Sequence, residues 1–218
     1  MDLVLFDLDN TLLAGDSDFE WGQFLIEAGV LDKEVYEAKN VAFYEQYKAG
    51  TLDIHEFLDF QLKPLSRYSR AQLEIWRERF IKNKIMPIMT EKAKALVAEH
   101  SGSLMAIITA TNSFVTRPIA DAFGIEHLIA TEPEIIDGEF TGKVSDVPCF
   151  REGKITRLNA WLAAQGKNLN SFEKSYFYSD SLNDLPLLSK VKYPVAVDPD
   201  PTLTVYAETY RWPIISLR

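Results

Sequence analysis

Four short apolar runs, each ending in a carboxylate or a hydroxyl and separated by helix-patterned stretches, constrain this chain more than any other feature. The first is Leu3 to Leu8, with Asp7 at its end and the polar pair Asp9-Asn10 beyond it. The second is Leu104 to Thr109, followed by Ala-Thr-Asn-Ser; the third is Ser175 to Ser179, ending at Asp180; the fourth is Tyr193 to Asp198. Short runs of strand-forming residues bounded by turn formers read as buried strands. Helical patterns lie between them, at Glu91 to His100, Ser113 to Phe123, Lys154 to Ala164 and Asn183 to Ser189. This alternation predicts an α/β fold, a Rossmann-like doubly wound parallel sheet with helices on both faces.

One stretch breaks the alternation. From Asp16 to about Met86 no convincing strand occurs, and apolar residues recur at helical spacing: Trp21, Phe24 and Leu25, then Phe57 and Leu58, then Leu73, Trp76 and Phe80. We expect an inserted α-helical cap domain over 15–86, within a core domain built from 1–14 and 87–218. The aromatic residues Phe19, Trp21, Phe24, Tyr36, Phe43, Tyr44 and Tyr47 read as cap core, with Trp21 and Phe24 the first candidates to roof a pocket. Ile135 to Val144 reads as a hairpin turning at Asp137-Gly138.

Charge and composition narrow the function. Thirty-two acidic against 23 basic side chains leave a net charge of -9, which argues against a nucleic-acid partner, since phosphate backbones are met by basic faces. An acidic chain binds an anionic substrate when a metal cation mediates the contact. Cys149 is the only cysteine; it reads as a packing residue and points to a cytoplasmic home. No run reaches the roughly 20 apolar residues that span a bilayer, so no membrane partner is expected. His55, His100 and His127 are scattered, with no spacing that suggests zinc.

Ligands of open parallel sheets bind at the carboxyl ends of the strands. Asp7 and Asp9, Thr109, and Asp180 with Asp184 all come to that edge. Clustered carboxylates repel unless a cation lies among them, and an oxygen-only donor set points to a hard ion, magnesium above all. Simple turn chemistry at Asp9-Asn10, or helix capping at Asp180-Ser181, explains either motif alone but not their conjunction.

The run Asp7-Leu8-Asp9-Asn10-Thr11-Leu12 resembles the Asp-x-Asp-x-Thr motif of the haloacid dehalogenase-like hydrolases. Thr109 resembles their second motif, Lys154 in Glu-Gly-Lys-Ile their third, and Ser179-Asp180-Ser181-Leu182-Asn183-Asp184 their fourth. The four occur in family order over nearly the whole chain, and the helical insertion resembles the cap of the phosphoserine-phosphatase-like branch. The resemblance implies a magnesium-dependent phosphatase in which Asp7 attacks phosphorus, forming an aspartyl-phosphate. Asp9 then acts as general acid and base. Thr109 binds a phosphoryl oxygen, with Thr111 and Asn112 near enough to share or take over that role. Lys154 neutralises Asp7 and the phosphate, in competition with Lys143 and Lys167 for this place. The metal falls to Asp7, Asp180 and Asp9, the last through its backbone carbonyl, with Asp184 assisting.

Phosphoserine phosphatases of this kind place a glutamate nine residues after the nucleophile to hold the substrate amine. Here that position is Asp16, followed by Asp18 and Glu20. They also use a cap arginine for the substrate carboxylate, and Thr51 to Leu62 contains none. Arg67, Arg70 and Arg77 come later. The expected partner is therefore a small amine-bearing phosphomonoester, histidinol phosphate ahead of phosphoserine. A phosphomutase of the same fold and a non-catalytic phosphate-binding module are the alternatives.

Overall fold

The computed structural model describes residues 1–218. Its centre is a six-stranded sheet in the order β3-β2-β1-β6-β7-β8, parallel throughout. The strands are β1 (Leu3–Phe6), β2 (Leu104–Asn112), β3 (His127–Thr131), β6 (Ser175–Ser179), β7 (Tyr193–Val197) and β8 (Ile214–Ile215). An antiparallel pair, β4 (Pro133–Ile136) and β5 (Glu139–Val144), stands apart from it. Asp137 and Gly138, both at positive φ, form its turn, the backbone that a two-residue hairpin requires.

Every residue of β1 is buried, because the strand lies at the middle of a sheet covered on both faces. One face packs Val4 and Phe6 against α5 (Glu91–Glu99), α6 (Ser113–Ala122) and the helical insertion; the other packs Leu3 and Leu5 against α7 (Glu152–Ala163) and α9 (Pro201–Tyr210). Alternate residues of one strand thus feed two separate cores. Each large side chain buried there contributes about 1.5–3 kcal/mol relative to exposure.

The insertion is helical, as its pattern implies: α1 (Ser17–Glu27), α2 (Lys33–Ala49), α3 (Ile54–Leu62) and α4 (Arg70–Phe80). Each begins at a side chain that accepts backbone N–H groups, namely Asp16, Asp32, Asp53 and Ser69. Such caps satisfy donors that a first turn leaves free. Trp21 and Phe24 do not roof a pocket. They are buried, stacked on each other at 5.7 Å, and packed against Phe80, with Trp21 also edge-on to Phe114 of α6. Their spacing marked a buried stripe, and it is the stripe that joins the insertion to the sheet. No helix is long and apolar enough to cross a membrane.

Three elements escape the sequence pattern. β3 is flanked by Gly124 and Pro133 and too short to stand out; β8 has only two residues; and α9 mixes polar and apolar residues with little facial bias. The helix expected over Asn183 to Ser189 is a 3-10 turn (Leu182–Asp184) followed by the four-residue α8 (Leu185–Leu188), with Pro186 in its first turn, where a missing N–H is best tolerated.

Candidate active site

β1 ends at Phe6, so Asp7 is the first residue past the strand, yet its N–H still bonds the Tyr178 carbonyl of β6 at 2.9 Å. The chain then turns sharply. Asp9 is extended and Asn10 takes a left-handed conformation at φ 56°, which asparagine tolerates better than most residues. This bend frees Asp9 from strand alternation and lets both carboxylates face the site.

Three strand ends meet here because β1 lies between β2 and β6. Lys154 Nζ donates to Asp7 Oδ1 and to Asp184 Oδ2, both at 2.7 Å, with all three side chains buried. Asp184 Oδ2 also accepts from Ser179 Oγ at 2.7 Å. Thr11 Oγ1 lies 3.1 Å from Asp180 Oδ1 and 3.4 Å from Asp7 Oδ2, and it accepts the Asp180 N–H at 3.0 Å. One hydroxyl therefore sets the spacing of two carboxylates.

Lys154 arrives on α7, whose start is tightly wound. Arg151 has φ 50°, and a Cβ at Gly153 would collide with the Pro148 carbonyl oxygen. Only glycine fits there without moving backbone, and the ammonium is aimed by that turn. Lys143 lies on β5 and Lys167 beyond α7, and neither has an ion pair with these acids.

Asp9 faces a second group of donors. Its Oδ1 accepts the Ser17 N–H at 2.6 Å, and its Oδ2 accepts Thr111 Oγ1 at 2.8 Å and, more weakly, Thr109 Oγ1 at 3.4 Å. Thr109 and Thr111 both reach Asp9 from the end of β2, where its pairing with β3 is irregular between Ile108 and Asn112. β2 runs through Asn112, and the Asn112 side chain caps α6 by accepting the Val115 N–H. Asp16 likewise caps α1, its Oδ1 accepting the N–H groups of Asp18 and Phe19 at 2.9 Å each.

Several participants carried no role in the sequence reading. Thr11 belongs to the first motif and Ser179 and Ser181 to the fourth, but their hydroxyl bonds could not be assigned from spacing. Tyr47, on α2, reaches the site through a 2.6 Å bond to Ser181 Oγ, and Arg151 holds Asn183 Oδ1 at 2.7 and 2.9 Å. No periodicity marks such contacts between distant segments. Cys149 is buried, its thiol pushed up to about 12 by desolvation, which makes it inert packing. His100 bonds the Tyr178 hydroxyl at 2.8 Å and packs beside Phe6.

The electrostatics are lopsided. Burial, reinforced by the Asp184 and Asp9 charges, pushes Asp7 up to about 7 despite Lys154. Burial and the Asp16 charge push Asp9 up to about 6. Asp180 is raised well above the carboxylate range by burial and by Asp7 and Asp184. Burial alone would lower Lys154, but Asp184 and Asp7 outweigh it and hold the ammonium charged. Asp180 has no ion pair, and Lys154 is the one cation on Asp7. Uncompensated negative charge on oxygen donors fits a hard divalent cation such as magnesium. No three His, Cys, Asp or Glu side chains converge into a cage. Magnesium does not need one; it takes one or two carboxylates and fills its remaining positions with water and phosphate oxygens.

A stability prediction follows from these carboxyls. Groups raised in the folded state bind more protons than the unfolded chain between about pH 4 and 7, so their contribution to stability is lost as pH rises through that window. The metal-free protein should melt roughly 3–6 °C higher at pH 5.5 than at pH 8, at about 2–4 °C per kcal/mol for this size. Magnesium added at pH 8 should recover most of the difference. A melting temperature that rises from pH 5.5 to 8 without metal would show the acids already compensated.

A family model described as haloacid dehalogenase-like hydrolase matches residues 4–189, which hold the ends of β1, β2 and β6 and the lysine described above. The chain belongs to the haloacid dehalogenase-like hydrolase family. It is 45% identical over 219 residues to a histidinol-phosphatase of Neisseria meningitidis serogroup C (strain 8013), covering 99% of each chain. Among solved structures, a Bordetella pertussis Tohama I protein of unknown function matches at TM-score 0.94 and 45% identity over 100% of this chain and 99% of that one. A substrate-bound phosphoserine phosphatase matches at TM-score 0.67 and 22% identity, over 99% and 92%. At that identity the likeness is one of fold.

Proposed function

We propose that this enzyme, a phosphatase of the haloacid dehalogenase-like family, hydrolyses a small amine-bearing phosphomonoester, histidinol phosphate foremost, by way of a phosphoryl group carried on Asp7. The observation that carries the reaction is the buried Asp7–Lys154–Asp184 arrangement, with both ion pairs at 2.7 Å. Lys154 engages Asp7 Oδ1 and leaves Oδ2 to attack phosphorus in line with the ester oxygen. The same ammonium offsets charge on the transferring group. Asp184 and Ser179 hold Lys154 in register. Thr109 hydrogen-bonds a phosphoryl oxygen, with the Thr111 hydroxyl and the turn at Asn112 beside it.

Asp9, held near neutrality by burial, protonates the leaving alkoxide and then takes a proton from the water that hydrolyses the aspartyl-phosphate. The Ser17 N–H and Thr111 hydroxyl orient it for both steps. A magnesium ion held by Asp7, Asp180 and the Asp9 carbonyl supplies neutralisation of the phosphate charge when bound.

Residues 15–86 act as the cap that selects the substrate, over a core of 1–14 and 87–218. Asp16 keeps one carboxylate oxygen outside its capping bonds for the substrate amine. Arg70 pairs with Glu74 and lies over Phe140, and Arg77 bonds the Phe114 carbonyl. Arg67 is exposed. Arg70 and Arg77 are thus engaged by the protein itself, which favours histidinol phosphate over phosphoserine. The 45% identity to a histidinol-phosphatase points the same way. A cytoplasmic location is part of the proposal and rests on the lone, buried Cys149.

The test is phosphate release with magnesium from phenyl phosphate, phosphoserine, histidinol phosphate and several sugar phosphates. Histidinol phosphate is expected to lead phosphoserine in kcat/KM by at least about tenfold, or ~1.4 kcal/mol. Phosphoserine in the lead would overturn the substrate assignment. An isomerised sugar phosphate without free phosphate would indicate a mutase.

A further inference from the structure

The first turn of α1 holds a carboxylate that nothing in the protein pairs. Asp18 is 7% exposed, and its side chain takes part in no hydrogen bond or ion pair. Its charged neighbours are two more acids, Asp16 and Asp9. Neither of those touches a cation; their partners are N–H and hydroxyl groups. A second buried polar group lies in the same turn. The hydroxyl of fully buried Ser17 is turned toward Asp9 and meets no group other than that acid.

Side chains of α2 and α3 form a polar wall on that side of α1. Gly22 follows Asp18 by four residues, hence on the same face of α1. Any Cβ at Gly22 would collide with the Tyr36 ring and hydroxyl, which stand over that face. The Tyr36 hydroxyl donates to Gln61 Oε1, and both side chains are buried. Asn40, from α2, stands beside Tyr36 with its Nδ2 buried and no acceptor near it other than the Tyr36 oxygen. The wall also adjoins the chemistry, because the Ser17 N–H bonds Asp9. An ester oxygen protonated by Asp9 leads its organic group onto Asp16 and Asp18.

A buried carboxylate without a counter-charge costs several kcal/mol. Helix capping does not account for Asp18, since Asp16 already accepts the free N–H groups of this turn. A cation that arrives with the substrate does account for it.

We infer that Asp18 is a specificity-determining residue which, together with Asp16, holds a cationic nitrogen group of the substrate, with Tyr36, Gln61 and Asn40 completing the wall. This deepens the phosphatase reading and rests on it for the direction in which the ester lies. The substrate class is a phosphomonoester bearing N–H cations and no carboxylate. A carboxylate placed here would face three acids.

Binding separates this inference from catalysis. In an Asp7→Asn background, which removes turnover, the dissociation constants of histidinol phosphate and of phenyl phosphate are measured with magnesium, with and without Asp18→Asn. The cationic ester is expected to bind at least about tenfold tighter, a preference worth ~1.4 kcal/mol. Asp18→Asn should erase most of it, with no fall in melting temperature, because the amide keeps the shape and removes like-charge repulsion. An unchanged ratio of the two constants overturns the assignment. So does an equal weakening of both ligands with a lowered melting temperature, the mark of a structural role. Phosphate release by the unsubstituted enzyme is read alongside. Cation preference in binding without release from any ester overturns the phosphatase reading alone, and release without cation preference overturns the Asp18 assignment alone.

Discussion

Asp7→Asn should reduce phosphate release from every ester by at least about 10³-fold, the order of loss when a nucleophile is removed. The amide is isosteric and keeps a contact to the Lys154 ammonium through its carbonyl oxygen, but it does not attack phosphorus. Its effect should fall on kcat, with substrate still bound, so that rapid acid quench finds a labile phosphoenzyme in the parent and none in the variant. The fold should persist. Asp7 is buried and its charge is opposed by burial and by Asp184 and Asp9, so a neutral side chain is expected to melt no lower than the parent. Residual release at more than a tenth of the parent rate would reassign the nucleophile.

The second large effect concerns stability as much as rate. Lys154→Met fills the same volume and removes the one cation between Asp7 and Asp184, which it meets at 2.7 Å each. Breaking a buried ion pair from one side costs about 3–5 kcal/mol, because the remaining charge stays buried and unpaired. At neutral pH the variant should therefore melt on the order of 10 °C lower, at ~2–4 °C per kcal/mol. The deficit should shrink at pH 5.5, where the orphaned carboxyls take up protons. Activity should fall at least about 10²-fold, the scale of losing one preorganised charge-stabilising group. A variant with the parent's melting temperature at both pH values would show that this lysine compensates nothing.

Much of this site was legible in the sequence because its residues stand at strand ends, where a run of apolar residues stops and polar ones begin. Asp7, Thr109 and Asp180 were found that way, and the sheet order then brings them together. Lys154 needed the family resemblance, since a lysine at a helix start is ordinary, and the tight turn at Gly153 that aims it has no periodic signature. What stayed hidden depends on tertiary contact. The Thr11 hydroxyl, the Ser179 bond to Asp184 and the reach of Tyr47 to Ser181 join segments that no local pattern relates. Trp21 and Phe24 mark the converse error. Their proximity to the first motif in sequence suggested a pocket roof, but packing against Phe80 satisfies them, and the polar wall forms instead from Asp18, Tyr36 and Gln61. β1, β2, β6 and β7 are plain from their apolar runs and the polar residues that end them, whereas two-residue β8 offers too little chain for any pattern.

The bond between Thr11 and Asp180 spans 169 positions of chain. β1 is made well before its neighbour β6, with β2 and β3 between them in the chain. The acids of the two strands stay apart until that pairing joins the two halves of the sheet, so their mutual repulsion is felt late in assembly rather than at its start. A divalent cation bound there would therefore favour completion of the fold as well as serving the reaction proposed for it.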